Sequence, residues 1–172
     1  MRTIKAPQKY ESRGNGEHTI FLAGGISNCP DWQKELESHL YFAFGIHNFV
    51  VFNPRRDKFD FANERESVKQ IEWEHSMLEQ CDTLLFWFPK ETLCPITLYE
   101  LGAYTGKKKN LVIGIDPHYK RKLDVITQTR LKIAGDCTLY VGWEIFLSGV
   151  AKHLHGVSQT LPPLKPFDPS DF

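Results

Sequence analysis

Short apolar runs alternate with amphipathic segments along most of the chain. The apolar runs are rich in Val, Ile, Leu and Phe, which is typical of strands buried on both faces of a parallel sheet. Five such runs predict strands, at 18–23, 49–52, 83–88, 110–115 and around 138–141. Helical periodicity is found in four segments, at 31–44, 64–81, 97–109 and 143–155. The alternation predicts a doubly wound α/β fold, with a five-stranded, mostly parallel sheet and helices on both faces.

The chain divides into three predicted parts. Residues 1–17 are polar and contain glycine, which predicts a flexible N-terminal lead-in. Residues 18–157 are predicted to form a single domain, because the segment shows neither an internal repeat nor a second set of strands. Residues 158–172 carry four prolines, which predicts a tail that is not helical. We expect this tail to pack along its own domain, with a polyproline ligand as the alternative.

Composition narrows the classes of function. The 172 residues include 21 basic and 21 acidic side chains, so the formal net charge is zero. A nucleic-acid-binding protein normally has a surplus of basic residues, so we expect no binding to nucleic acid. The four cysteines lack C-x-x-C or paired-histidine spacing, which predicts reduced thiols and no metal site. The sequence shows no signal peptide and no apolar run long enough for a membrane span, which predicts a cytoplasmic protein.

Candidate binding residues lie at the carboxyl ends of the predicted strands, where ligands bind in doubly wound sheets. Gly24 and Gly25 follow the first strand, where they would allow either a tight turn or close approach of a ligand to the backbone. Arg55 and Arg56 follow the second strand. They could hold a phosphate bidentately, or they could pair with nearby aspartates in a solvated loop.

Two glutamates are candidates for catalysis. Glu74 shares a helix face with Gln70, so partial burial would raise its pKa and make it a proton donor, with a surface salt bridge as the alternative. Glu100 is expected in the first turn of a helix after the third strand, close to Thr97 as a fair N-cap. The helix dipole would keep this carboxylate ionised, as a nucleophile requires. The alternative is a glutamate that only compensates the dipole.

Six segments of the chain carry a pattern in their order and spacing. They are 20–26, Asp31-Trp32, Phe52-Asn53-Pro54, Gln70-Ile71-x-Trp73-Glu74, Cys81-Asp82 with Phe86-Trp87-Phe88, and Leu98-Tyr99-Glu100-Leu101-Gly102. Together they resemble the nucleoside 2-deoxyribosyltransferase-like family over roughly residues 18–150. The most specific element is the Glu-Leu-Gly after the third strand, preceded at the right distance by Glu74 and Asp82.

The resemblance implies a small flavodoxin-like, or Rossmann-like, domain that cleaves the N-glycosidic bond of 2′-deoxynucleosides. Glu100 matches the family's nucleophile, which would form a covalent deoxyribosyl ester, and Glu74 matches an acidic residue that exchanges a proton with the leaving base. The sugar would pass to another nucleobase or to water, without a metal or another cofactor. Around this pair we expect substrate-binding residues, the aromatic ones stacking on the base: Phe21, Gly24, Gly25, Trp32, Asn53, Gln70, Trp73, Cys94, Thr97 and Asp124.

The chain departs from the family pattern at Cys94, where well-studied members carry an aspartate that contacts the base. Base preference therefore does not carry over. In the family a neighbouring subunit often closes the sugar pocket; Asp124 or Gln128 could do so here, which implies a homo-oligomer, a dimer or higher.

Two other functions stay open at this point. One is a hydrolase that acts on 5′-nucleotides or NAD-type substrates, with the arginines after the second strand or the glycine pair holding the phosphate. The other is a non-catalytic nucleotide-binding or sensing module, in which Glu100 would contact ribose hydroxyls without reacting.

Overall fold

The computed structural model describes residues 1–12, 16–46, 49–60, 62–107, 110–133 and 138–160. In this part of the chain, six strands form one sheet, and five α-helices and a π-helical turn at His39–Ala43 connect them. The strands are β1 (Arg2–Lys5), β2 (His18–Gly24), β3 (Phe49–Asn53), β4 (Thr83–Phe88), β5 (Asn110–Ile115) and β6 (Thr138–Val141). The helices are α1 (Trp32–Ser38), α2 (Glu64–Gln80), α3 (Pro95–Tyr104), α4 (Lys122–Lys132) and α5 (Trp143–Thr160).

The order of the strands confirms the doubly wound fold. It is β1-β3-β2-β4-β5-β6, and every neighbouring pair is parallel. Strands β2 to β6 follow the flavodoxin-like order, in which the chain winds outward to one side and then crosses to the other. The direction reverses between β2 and β4, so the connections at their carboxyl ends diverge and leave a crevice.

The prediction of five strands is wrong by one. The additional strand, β1, pairs with β3 along its whole length at the edge of the sheet. It lies within 1–17, which we predicted to be a flexible lead-in, and its sequence Arg-Thr-Ile-Lys shows no apolar run. An edge strand of this length needs few inward-facing apolar side chains, and here Ile4 alone is buried.

The helices differ from the predicted segments in four places, one of which is α3: it runs from Pro95 to Tyr104, where we predicted a helix at 97–109. The predicted helix at 31–44 is divided into α1 and the π-helical turn. The sequence did not predict helix α4, because its leucines Leu123 and Leu131 are exposed and the spacing of its apolar residues does not mark the buried face. Helix α5 continues to Thr160, so the tail predicted from residue 158 begins as helix; its prolines lie outside the described residues. Every helix in the described part is too short or too polar to span a lipid bilayer.

Side chains of the central strands point alternately to two apolar layers. From β2, Phe21 enters the layer formed with α2, α3 and α4, whereas Leu22 enters the layer formed with α1 and α5. From β4, Phe86 and Trp87 divide in the same way. Burial on both faces explains why these strands show continuous apolar runs, and it makes the sheet a rigid support for the loops at its carboxyl edge.

Candidate active site

A cleft of about 900 Å³ opens at the carboxyl edge of the sheet, at the reversal between β2 and β4. The end of β2, the loop after β3, the middle of α2 and the start of α3 line it. This volume is within the range of small-molecule sites. Eight of the residues predicted from the sequence line the cleft: Phe21, Gly24, Gly25, Gln70, Glu74, Cys94, Thr97 and Glu100.

Two predicted stacking residues, Trp32 and Trp73, lie instead in the core. Trp32 packs in the layer with α1, and its Nε1 donates to the Gly25 carbonyl oxygen at 2.9 Å. Trp73 packs against Phe21, with ring centroids 6.3 Å apart, and its Nε1 donates to the Gln8 carbonyl oxygen at 2.7 Å. Both indoles support the wall of the cleft rather than line it.

Asn53 and Asp124 also lie outside the lining. Asn53 is buried at the end of β3, where its Nδ2 donates to Glu37 at 2.8 Å and its Oδ1 accepts from the Arg55 amide at 2.9 Å. Asp124 pairs with Arg121 at 3.2 Å beside a separate groove of about 200 Å³ between α3 and α4. A contact of Asp124 with a neighbouring subunit's pocket stays a prediction.

Close packing requires the glycine pair at the end of β2. A Cβ at Gly24 would lie 2.5 Å from a ring atom of Trp32, and a Cβ at Gly25 would lie 2.8 Å from side-chain atoms of Pro89 and Thr92. These distances are well inside van der Waals contact, so any larger residue would displace the wall. Both glycines line the cleft, and neither has the positive φ that a tight turn would need.

Glu100 lies in the second turn of α3, not in the first turn as we predicted. The helix begins at Pro95, after Cys94 takes a left-handed backbone conformation with φ 47° and ψ 54°. Among the described residues, none donates a hydrogen bond to the Glu100 carboxyl group. Burial, and secondly the charge of Glu74, raise its pKa to about 8. The prediction that the dipole keeps it ionised is wrong, because the dipole fades beyond the first turn and desolvation dominates.

Glu74 faces the same cleft from α2. Burial raises its pKa, and a hydrogen bond from Gln70 Nε2 to Glu74 Oε1, at 2.7 Å, partly opposes that rise. Glu74 is partly buried, and no cation in the described part of the chain pairs with it, which favours the proton donor over the surface salt bridge among the two alternatives.

The two carboxyl groups titrate as an interacting pair. The charge of Glu74 disfavours ionisation of Glu100, so the second proton leaves the pair only near pH 8. At neutral pH the Glu100 carboxyl group therefore keeps its proton, and Glu74 is the carboxyl group of the pair that ionises first. A carboxylate and a carboxylic acid in one cleft can together attack an acetal carbon and protonate its leaving group.

The cysteine that lines the cleft, Cys94, cannot act as a nucleophile at neutral pH. The Cys94 thiol is buried and donates to the Thr92 carbonyl oxygen at 3.6 Å, and burial raises its pKa to about 12. It therefore stays protonated at neutral pH. Cys29 and Cys94 form no disulfide with the described residues, and Cys137 lies outside them. The described residues include no group of three or more His, Cys, Asp or Glu side chains that could hold a metal ion.

Arg55 holds two loops of the cleft together. Its side chain is only 17% exposed, and it pairs with Asp31 at 3.3 Å. It also donates to Gln33 Oε1 at 2.9 Å, to the Pro30 carbonyl oxygen at 3.0 Å and to the Gly25 carbonyl oxygen at 3.3 Å. These bonds use Nε and Nη2 of the guanidinium and fix it against the two loops, so Arg55 forms part of the cleft wall.

The Arg56 guanidinium also contacts other side chains, but one of its nitrogens has no hydrogen-bond partner among the described residues. It pairs with Glu66 at 3.2 Å and lies over the Phe59 ring at 4.9 Å. Its Nη1 is buried and has no hydrogen-bond partner among the described residues. Phe59 lines the cleft as well, and the sequence did not reveal it because it lies in a loop without periodicity.

We expect Arg55→Ala to lower the free energy of unfolding by about 1.5–3 kcal/mol, because several charge-assisted hydrogen bonds are lost together. For a protein of this size, the melting temperature should fall by about 3–12 °C. Thermal unfolding of the variant measures this effect. Arg65→Ala, on the exposed face of α2, is the matched control and should change the melting temperature little. Equal melting temperatures for the two variants would show that Arg55 does not hold the loops.

Comparison with protein families finds one match, to a family described as nucleoside 2-deoxyribosyltransferase-like, over residues 17–119. The matched segment runs from the start of β2 to the turn after β5 and includes every residue that lines the cleft. No curated protein matches the chain significantly.

Proposed function

The chain belongs to the nucleoside 2-deoxyribosyltransferase-like family, and from this premise we propose that it cleaves the N-glycosidic bond of 2′-deoxynucleosides. The sugar then passes to another nucleobase or to water. One observation carries the proposal: Glu74 and Glu100 line one cleft at the reversal between β2 and β4, and burial raises the pKa of both carboxyl groups. The predicted cytoplasmic location and homo-oligomer are part of the proposal.

The first step starts from the form of the pair in which the proton lies on Glu74, and in this form the Glu100 carboxylate attacks the anomeric carbon of the sugar. The bond from that carbon to the base nitrogen breaks, and its electron pair leaves with the base. Glu74 donates its proton to the departing base, which leaves neutral, while the sugar remains as an ester on Glu100. The negative carboxylate also stabilises the oxocarbenium-like transition state of this substitution.

In the second step, Glu74 acts as a base instead of an acid. As the carboxylate left by the first step, it takes a proton from a nitrogen of the incoming base. That nitrogen attacks the anomeric carbon and displaces the Glu100 carboxylate. Water can replace the base, with Glu74 taking one of its protons, and the enzyme is then a hydrolase. Two displacements at one carbon retain the β configuration.

The charges in the cleft favour an uncharged nucleoside over a 5′-nucleotide. Arg55 and Arg56 are paired with Asp31 and Glu66, respectively, and a dianionic phosphate would have to compete with those partners. The unpartnered N–H of Arg56 Nη1 can be satisfied by a neutral hydroxyl oxygen. The carboxyl pair adds further negative charge.

Product analysis by liquid chromatography tests the proposal. The protein is incubated with a 2′-deoxynucleoside, with and without a second free nucleobase, and in parallel with the matching 5′-monophosphate. We expect a new deoxynucleoside only when the second base is present. Free base alone would assign hydrolysis, and faster cleavage of the monophosphate would favour the 5′-nucleotide hydrolase. No cleavage of any nucleoside or nucleotide would contradict the proposal and favour the sensing module.

A further inference from the structure

The orientation of the Gln70 amide in the cleft wall is fixed. Gln70 lies on α2, one turn before Glu74, and is 8% exposed. Its Nε2 donates to the Pro54 carbonyl oxygen at 2.8 Å and to Glu74 Oε1 at 2.7 Å. A carbonyl oxygen can only accept, so a flipped amide would turn its oxygen toward another oxygen. The nitrogen of the amide must therefore face Pro54 and Glu74.

The other end of the same amide has no partner. Gln70 Oε1 is buried and accepts no hydrogen bond from the described residues. Buried acceptors without a partner are rare in folded proteins, because the group has lost its water without replacement. Since Gln70 lines the cleft, a ligand that carries a donor is the group that can complete this pairing.

We propose that Gln70 selects nucleobases with an amino group at position 6 of a purine or position 4 of a pyrimidine, by accepting the amino N–H at Oε1 beside the proton donor Glu74. The inference rests on the proposed function, which assigns Glu74 to the base and Glu100 to the sugar. Gln70 is hydrogen-bonded to Glu74, so it lies on the side of the base. The sugar hydroxyl groups, which could also donate a hydrogen bond, lie on the side of Glu100 in the proposed mechanism.

The chemistry of the bases gives this acceptor its selectivity. Adenine carries a 6-amino donor next to the N7 acceptor, so N7 can take the proton of Glu74 while the amino group binds Gln70. Guanine and hypoxanthine carry an oxygen at position 6, which would face the Gln70 oxygen and leave two acceptors unpaired. Cytosine and thymine differ in the same way at position 4.

Deoxyadenosine and deoxyinosine are the probes, because they differ only at position 6. Binding is measured by calorimetry on Glu100→Gln, which keeps the bound nucleoside intact. We expect deoxyadenosine to bind at least about tenfold more tightly than deoxyinosine, since a mismatched acceptor leaves two buried groups unpaired. In the double variant with Gln70→Met, the ratio should fall below about threefold.

Gln80→Met in the same Glu100→Gln background is the matched control. Gln80 is an exposed residue of α2 that donates to the Ser76 carbonyl oxygen, so its loss should leave the ratio unchanged. Equal binding of the two nucleosides to Glu100→Gln would overturn the inference, even if Gln70→Met fails to fold. So would a ratio that persists in the folded Gln70→Met variant. Both results leave the proposed function standing, whereas no binding of any deoxynucleoside would contradict the proposed function itself.

Discussion

Glu100→Gln is expected to lower the turnover of a 2′-deoxynucleoside by roughly 10⁴-fold or more. The amide has nearly the same shape as the carboxylate, but it is not ionised and cannot attack the anomeric carbon. It also removes the negative charge that faces the oxocarbenium-like transition state. Initial rates of base release, measured by liquid chromatography, give the size of the loss.

Glu72→Gln is the matched control for this variant. Glu72 is an exposed glutamate of α2, two residues from Glu74, so its amide should retain nearly full activity. If Glu100→Gln keeps more than about a tenth of the wild-type rate, Glu100 is not the nucleophile.

The stability of Glu100→Gln shows whether the lost activity reflects chemistry rather than unfolding. The pKa of Glu100 in the folded protein, about 8, lies above the ordinary value for glutamate. The folded state therefore binds this proton more tightly than the unfolded state, and the wild type loses stability as the pH rises from about 4.3 to about 8. Glutamine does not titrate, so the melting temperature of the variant relative to wild type should rise by a few degrees between pH 5 and pH 9.

The fold could be predicted from the sequence where burial is uniform. Strands β2 to β5 are covered on both faces, so their sequences show as continuous apolar runs that no surface pattern imitates. Elements that contribute little to the core could not be found in this way. Strand β1 buries Ile4 alone at the sheet edge, and α4 exposes Leu123 and Leu131.

The residues of the candidate site could be predicted more readily than their chemistry. Gln70, Glu74 and Glu100 were found by their positions after strands or on a helix face, and the cleft brings them together. The ionisation of Glu100 depends on where α3 begins, which the left-handed Cys94 decides, and on a charge from another helix. The hydrogen bonds of Arg55 likewise join segments far apart in the chain, so no local pattern indicates them.

Glu74→Gln is expected to slow cleavage by roughly 10²–10⁴-fold, since the departing base then leaves without its proton. The loss should be largest for bases that leave poorly as anions and smallest for bases that leave well. Relative values of kcat/KM across a series of deoxynucleosides measure this dependence. An equal loss for every base would show that Glu74 is not the proton donor.

The pH profile of the same variant separates a proton donor from a residue that only shapes the cleft. In the wild type, kcat/KM should fall at low pH, where both carboxyl groups are protonated, and again above about pH 8, where both are ionised. In Glu74→Gln the fall above pH 8 should disappear, because no acid remains to be lost. The pKa of Glu100 should also drop below about 8, because the charge of Glu74 no longer opposes its ionisation. The rate of the variant should therefore rise through a single pKa to a plateau, and a fall that persists at high pH would assign the acid to another group.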